Sequence, residues 1–200
     1  MWIAHAQQAF LIAAVTVTAA AAWTDHRTGE IPHGIVLPPL VIAPLAHYAV
    51  VAKQANQAAA FQALGFSIVG ALVTAAVPLF LYFMPVGEAD ENGDRPRAIY
   101  GGDVKLFAAI GAICRATIGI EAVFYSFIAS ALVTLGVMAW QGKLLRTLGN
   151  VLFIAVNPFL PKARRKPLTP ENLTMTRMGP AIFLGTLATA ALHWIPTREP

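Results

Sequence analysis

Charge is the scarcest commodity in this sequence. Of its 200 residues only 12% are Asp, Glu, Lys or Arg, against 57% hydrophobic, and the mean hydropathy is +0.62. Soluble domains average about a quarter charged residues, so a water-soluble globule is excluded and an integral membrane protein is indicated. Cysteine is nearly absent. The single Cys114 excludes an internal disulfide and a cysteine zinc cluster, and is read as a small core residue. The three serines, Ser67, Ser126 and Ser130, sit inside apolar runs with no Gly-x-Ser-Gly pattern and no evident base, which argues against serine nucleophile chemistry. The five histidines, His5, His26, His33, His47 and His193, show no HExxH spacing. No metal and no cofactor are expected. The net charge of +4 is modest, and its sign is an orientation signal rather than a nucleic-acid footprint.

What is present is a set of apolar runs. A helix needs about 20 apolar residues to cross the hydrocarbon core, and six candidates emerge: roughly 2–23, 35–52, 61–84, 103–114, 122–140 and 178–195. The apolar start at Trp2 lacks the positive n-region of a signal peptide and is read as the first span. The second carries Pro38, Pro39 and Pro44, tolerable in a packed bundle. The expected fold class is an all-α integral membrane bundle of six transmembrane helices in one domain, residues 1–200.

Counting cations on alternate sides orients that bundle. Arg27, Arg95, Arg97, Lys105, Lys143, Arg146, Lys162, Arg164, Arg165, Lys166 and Arg177 fall on one side; Lys53, Arg115 and Arg198 fall on the other. The positive-inside rule makes the richer side cytoplasmic and turns both termini outward. The fourth span is short. Twelve residues cover about 18 Å against a core of about 30 Å; either the membrane thins there, or the helix starts below the surface and Asp103 lies in a recess on the cytoplasmic side, with Arg115 at the outer end.

Two acids, Asp25 in WTDHRTGEIPH and Asp103 in AIYGGDVKLFAA, stand at cytoplasmic ends of spans. An acid at the mouth of an apolar segment is costly to keep there and is a functional candidate. Two carboxylates sharing a site cannot both ionise easily, and such a pair can hydrolyse a peptide bond. The alternative is a helix cap for Asp103 and an ordinary loop acid for Asp25. Gly101 and Gly102 would let a substrate backbone approach closely. Lys105 reads either as a substrate contact or as a snorkelling interface lysine.

At these residues the chain resembles a family. DHRTGEIPHGIV is similar to the acid-containing segment after the first span of type IV prepilin peptidases, YGGDVKLFAAIGA to their GxGD segment, and TRMGPAIFLGTLAT to their final span. The resemblance implies an aspartic endopeptidase of the bacterial inner membrane that cuts leader peptides from pilin precursors at the cytoplasmic face. Asp25 and Asp103 match its catalytic acids. The length, and the lack of a cysteine-bearing methylation domain, resemble the short branch serving tight-adherence (Flp-type) pili. Two positions depart from the pattern: Tyr100 stands where glycine is usual, narrowing access, and His33 where asparagine is usual.

The remaining features concern partners. EADENGD, residues 88–94, lies on the cytoplasmic side and reads as an attractor for a basic prepilin leader or as a plain solvated loop. KARRK, Lys162–Lys166, suits anionic lipid headgroups or simply sets orientation, and the patch Val151–Val156 is too short to span and reads as an interfacial helix. Two further readings stay open: a catalytically silent protein that holds pilin helices during assembly, and a small proton-coupled transporter.

Overall fold

The computed structural model describes residues 2–84, 99–142 and 177–194, and all regular structure among them is helical. The acidic 88–94 segment, Val151–Val156 and the KARRK run lie outside the described residues. The helices are α1 (Trp2–Thr28), α2 (His33–Ala52), α3 (Gln57–Phe83), α4 (Gly101–Trp140) and α5 (Gly179–Trp194). Four of them are long and apolar enough to cross a membrane: His5–Thr28, His33–Ala52, Gln57–Phe83 and Gly101–Trp140.

The surface and interior are those of a lipid-facing bundle. Large apolar side chains point outward, among them Leu72 at 67% and Phe80 at 65% exposure. The interior instead holds small and hydroxyl residues: Ala14, Thr18 and Ala21 of α1, Ser67 and Thr74 of α3, Ser126 of α4 and Thr186 of α5 are all buried. Helices in lipid associate through close backbone packing and hydrogen bonds rather than through apolar burial, and this inversion follows. At the α3–α4 crossing a Cβ on Gly70 would overlap the Gly111 carbonyl oxygen, so the two backbones touch. The Thr74 hydroxyl lies there 2.9 Å from the Phe107 carbonyl oxygen.

The break in α4 decides the architecture. Arg115 has φ 62° and ψ 178°, a region open essentially to glycine alone and costing other residues about 1–3 kcal/mol. The chain reverses there. Phe107 and Phe127 stack with ring centroids 6.0 Å apart and planes 11° apart, whereas an unbroken helix would separate them by about 30 Å. The apolar runs 103–114 and 122–140 are therefore two limbs of one helical hairpin. The first limb's terminal carbonyls lose their i+4 donors at the turn. Ser67 Oγ donates to the Ala112 oxygen at 2.6 Å, and His47 Nε2 lies 2.9 Å from the Ile113 oxygen.

Several helix ends differ from the sequence expectation, and two of the differences bear on the two acids. The first apolar run was expected to stop at Trp23, leaving Asp25 beyond it. Instead α1 continues through Thr28 and puts Asp25 inside its last turns. Thr24 and Thr28 hydroxyls bond back to carbonyls of the preceding turn, and the helix ends at Gly29, whose φ of 76° suits a left-handed C-terminal stop. Likewise α4 begins at Gly101, making Asp103 its third residue rather than its first.

Candidate active site

The last turns of α1, the first turn of α4 and the start of α5 meet around a cavity of about 590 Å³. Asp25 and Asp103 both line it, and each is buried, at 6% and 5% exposure. Two acids that an apolar membrane protein keeps out of water thus face the same space.

Each carboxylate is held in the same manner. Asp103 Oδ2 accepts the backbone N–H of Tyr100 at 3.2 Å, across the first turn of its own helix. Asp25 Oδ2 accepts the backbone N–H of Gly179 at 2.9 Å, at the first turn of α5. The free N–H groups and positive dipole end of a helix N-terminus favour a carboxylate. Asp25 needs a foreign one because it lies near the C-terminal end of α1, where the dipole has the wrong sign. The approach of α5 requires glycine: a Cβ at position 179 would stand 2.6 Å from Asp25 Oδ2 and 2.8 Å from its Cβ.

Arg177 completes the junction. Its Nη1 donates to the Asp25 carbonyl at 2.8 Å and also to that of His26. These carbonyls belong to the end of α1, where a cation complements the dipole. Arg177 and Met178 both line the cavity, so the two residues preceding α5 form one wall of it.

The other expected residues divide. Gly102 lines the cavity; Gly101 does not, and faces Tyr82. A Cβ on Gly102 would lie 3.1 Å from Ile31 Cβ, so this glycine lets the buried Ile31 pack against the first turn of α4. Lys105 is not among the lining residues; its Nζ donates to Nε2 of His33 at 2.9 Å, joining the start of α2 to the start of α4. His33 and Tyr100 both line the cavity. Tyr100 has φ −94° and ψ 158°, extended backbone open to any residue, so the missing glycine imposes no strain.

The family model of type IV leader peptidases matches residues 11–135. The chain belongs to the type IV leader peptidase family. Neither a curated protein nor a solved structure matches it. The matched region contains Asp25 and Asp103 but ends before Arg177 and Gly179. Membership carries a leader-peptidase function at the level of the family, and a multi-pass membrane setting accords with the apolar helices.

Two residues of this cavity junction, Arg177 and Gly179, are not singled out as site residues by the sequence. In the sequence Arg177 stands only as an orientation charge, and Gly179 only as part of the TRMGPAIFLGTLAT segment. The signal available was the Gly179-Pro180 pair, since proline is favoured in the first turn of a helix and glycine admits close approach of another segment. The His33–Lys105 bond had no signal in spacing, because its partners lie on different helices.

Proposed function

We propose that the chain is an aspartic endopeptidase that removes the leader peptide of Flp-type type IV prepilins at the cytoplasmic face of the bacterial inner membrane. The observation that carries this reading is the shared cavity: Asp25 and Asp103, from distant stretches of sequence, both line it. In the proposed reaction the ionised acid takes a proton from water while the protonated acid donates a hydrogen bond to the scissile carbonyl. The water oxygen bonds to the carbonyl carbon, the C–N bond breaks, and the departing nitrogen takes a proton from the pair. One backbone N–H on each carboxylate fixes its rotamer, so that a water molecule meets a prepared pair.

In the proposed topology six spans cross the membrane, the α4 hairpin supplying two of them and the region after Gln141 leading to the last. Both termini face outward and the cavity opens to the cytoplasm. The apolar helix that follows a pilin leader lies between spans, and the basic leader meets the acidic 88–94 segment. Gly102, which lines the cavity, lies beside the scissile backbone. Lys105 acts on the substrate through His33, which lines the cavity. Lys162–Lys166 rests on anionic lipid headgroups.

The test is co-expression with a candidate prepilin in membranes, comparing the parent with Asp25→Asn and Asp103→Asn. Leader removal by the parent alone supports the peptidase. Retention of an uncut prepilin by the parent in a pull-down points to the silent binder, and proton flux without cleavage points to transport.

A further inference from the structure

A second cavity lies at the opposite end of the bundle. It measures about 470 Å³, within the roughly 300–1,000 Å³ typical of ligand pockets. It is formed by the start of α1, the end of α2 with the turn that follows, and the hairpin turn of α4. Gln7 in its wall and Asp25 in the catalytic cavity are separated by about 27 Å along α1 at 1.5 Å per residue. That is close to the thickness of the hydrocarbon core, about 30 Å, so the two cavities sit at opposite membrane boundaries.

Its chemistry has two parts. Phe10, Leu11, Val50, Val51 and Ile118 make apolar walls. Against them stands one cation, Arg115. Among the described residues no acid lines this cavity, and Glu121, the acid nearest in sequence, is engaged with His193 at 2.6 Å. The Nε of Arg115 is buried with no hydrogen-bond partner. An unsatisfied buried donor is costly, and an arginine presents its N–H groups as a fork suited to phosphate oxygens.

The fork is also held in place. His47 is buried, stacks on Phe10 at 3.9 Å between centroids, and lies 3.2 Å from Arg115 Nη2 through Nδ1. The tautomer protonated on Nε2 satisfies both bonds: Nε2–H donates to Ile113 and Nδ1 accepts from Arg115. His47 is then neutral and the site carries one net positive charge. Finally, the residue bearing that charge occupies a backbone conformation that glycine would adopt freely. A turn alone would be served better by glycine; a side chain kept there despite the strain points to a use for it.

We propose that this cavity binds an anionic phospholipid, with the phosphate on Arg115 and the first part of an acyl chain along the Phe10, Leu11, Val50, Val51 and Ile118 walls. Gln7 and Gln54 offer amide donors and acceptors to headgroup hydroxyls. Among the described residues no lining acid offers a charge to a choline or ethanolamine cation, so a net-anionic headgroup is favoured over a zwitterionic one. The occupied site would brace α1, α2 and the α4 turn against one another. This proposal does not depend on the peptidase reading.

Native mass spectrometry of the purified full chain in detergent tests it, using phosphatidylglycerol and phosphatidylcholine of equal chain length, with inorganic phosphate as competitor. The parent is expected to retain phosphatidylglycerol at least ten-fold more tightly than phosphatidylcholine, with no displacement by millimolar phosphate. Arg115→Gly, which also relieves the backbone, is expected to abolish that preference while melting without lipid at or above the parent's temperature. Ala6→Phe fills the cavity from its rim and leaves Arg115 in place; it decides the matter should the glycine variant not fold, and is expected to lower phosphatidylglycerol retention at least ten-fold. Equal retention of the two lipids by the parent, or unchanged phosphatidylglycerol retention in the folded variants, would overturn the proposal. Displacement by inorganic phosphate would overturn the lipid as occupant and leave a site for a free anion.

Discussion

The backbone N–H of Gly179 donates to Oδ2 of Asp25 at 2.9 Å, across an interval of sequence that nearly spans the chain. One acid of the cavity is thus oriented by a helix belonging to the opposite end of the polypeptide. Replacing Gly179 with alanine inserts a methyl group within 2.6 Å of that same oxygen. Overpacking of this kind costs about 1–3 kcal/mol of stability, and a small displacement of a reacting group costs about 100-fold in rate. Gly179→Ala is therefore expected to cut leader cleavage by one to two orders of magnitude while the protein stays folded, measured by cleavage in membranes beside a melting curve in detergent. Full activity would show that the α5 contact does not position Asp25.

Arg177 acts on the same acid through the backbone. Its guanidinium bonds two carbonyls at the end of α1, those of Asp25 and His26. Arg177→Met keeps much of the stem and removes both bonds. The expected loss is about 1.5–3 kcal/mol, the range for hydrogen bonds to charged groups, seen as a lowered melting temperature, with kcat falling more than KM rises. A loss confined to KM would instead mark Arg177 as a substrate contact.

Tyr100 occupies a position where the family pattern has glycine, yet its backbone is extended and its side chain is 59% exposed at the cavity. Tyr100→Gly is expected to leave the fold intact, since glycine is an acceptable N-cap. The Asp103 contact runs through the backbone N–H, which glycine retains. Opening the mouth of the cavity is expected to raise kcat/KM for a prepilin two- to ten-fold. A fall in rate would mean that the aromatic ring helps to hold the substrate.

His33 and Lys105 can be tested through rescue. The Lys105 ammonium needs an acceptor, which Nε2 of His33 supplies at 2.9 Å. Asparagine offers a carbonyl oxygen at the same place and leucine offers nothing. His33→Asn is expected to retain most activity and His33→Leu to lose several-fold. Stability should change by less than about 1 kcal/mol in both, because the pair is exposed. Equal rates for the two variants would detach this bond from function.

Much of this architecture could be read from the sequence because lipid imposes a length and a composition on each helix. The apolar runs, the two acids and the short fourth run were all visible in that way. Helix ends were less so. Nothing in the run up to Trp23 says that α1 continues to Thr28, since Thr24, Asp25, His26 and Arg27 are polar and stay helical through back-bonded threonines and the Arg177 cap. The reversal at Arg115 was legible as a gap between two runs, but not as strain at a single residue. What sequence could not supply was contact between distant segments: Gly179 with Asp25, Lys105 with His33, and His47 with Arg115 each join different helices. The role expected of Gly102 also shifted, because its closest neighbour is Ile31.

The central claim is that Asp25 and Asp103 work as one unit, and kinetics of the single and double asparagine variants on a purified prepilin test it most directly. Residues that act together are far from additive. Each single variant is expected to lower kcat by at least about 1,000-fold, with the protein still folded and still binding prepilin, and the double variant to be no slower than either. Cleavage surviving in Asp25→Asn or in Asp103→Asn, or a double variant whose loss is the product of the two, would contradict it.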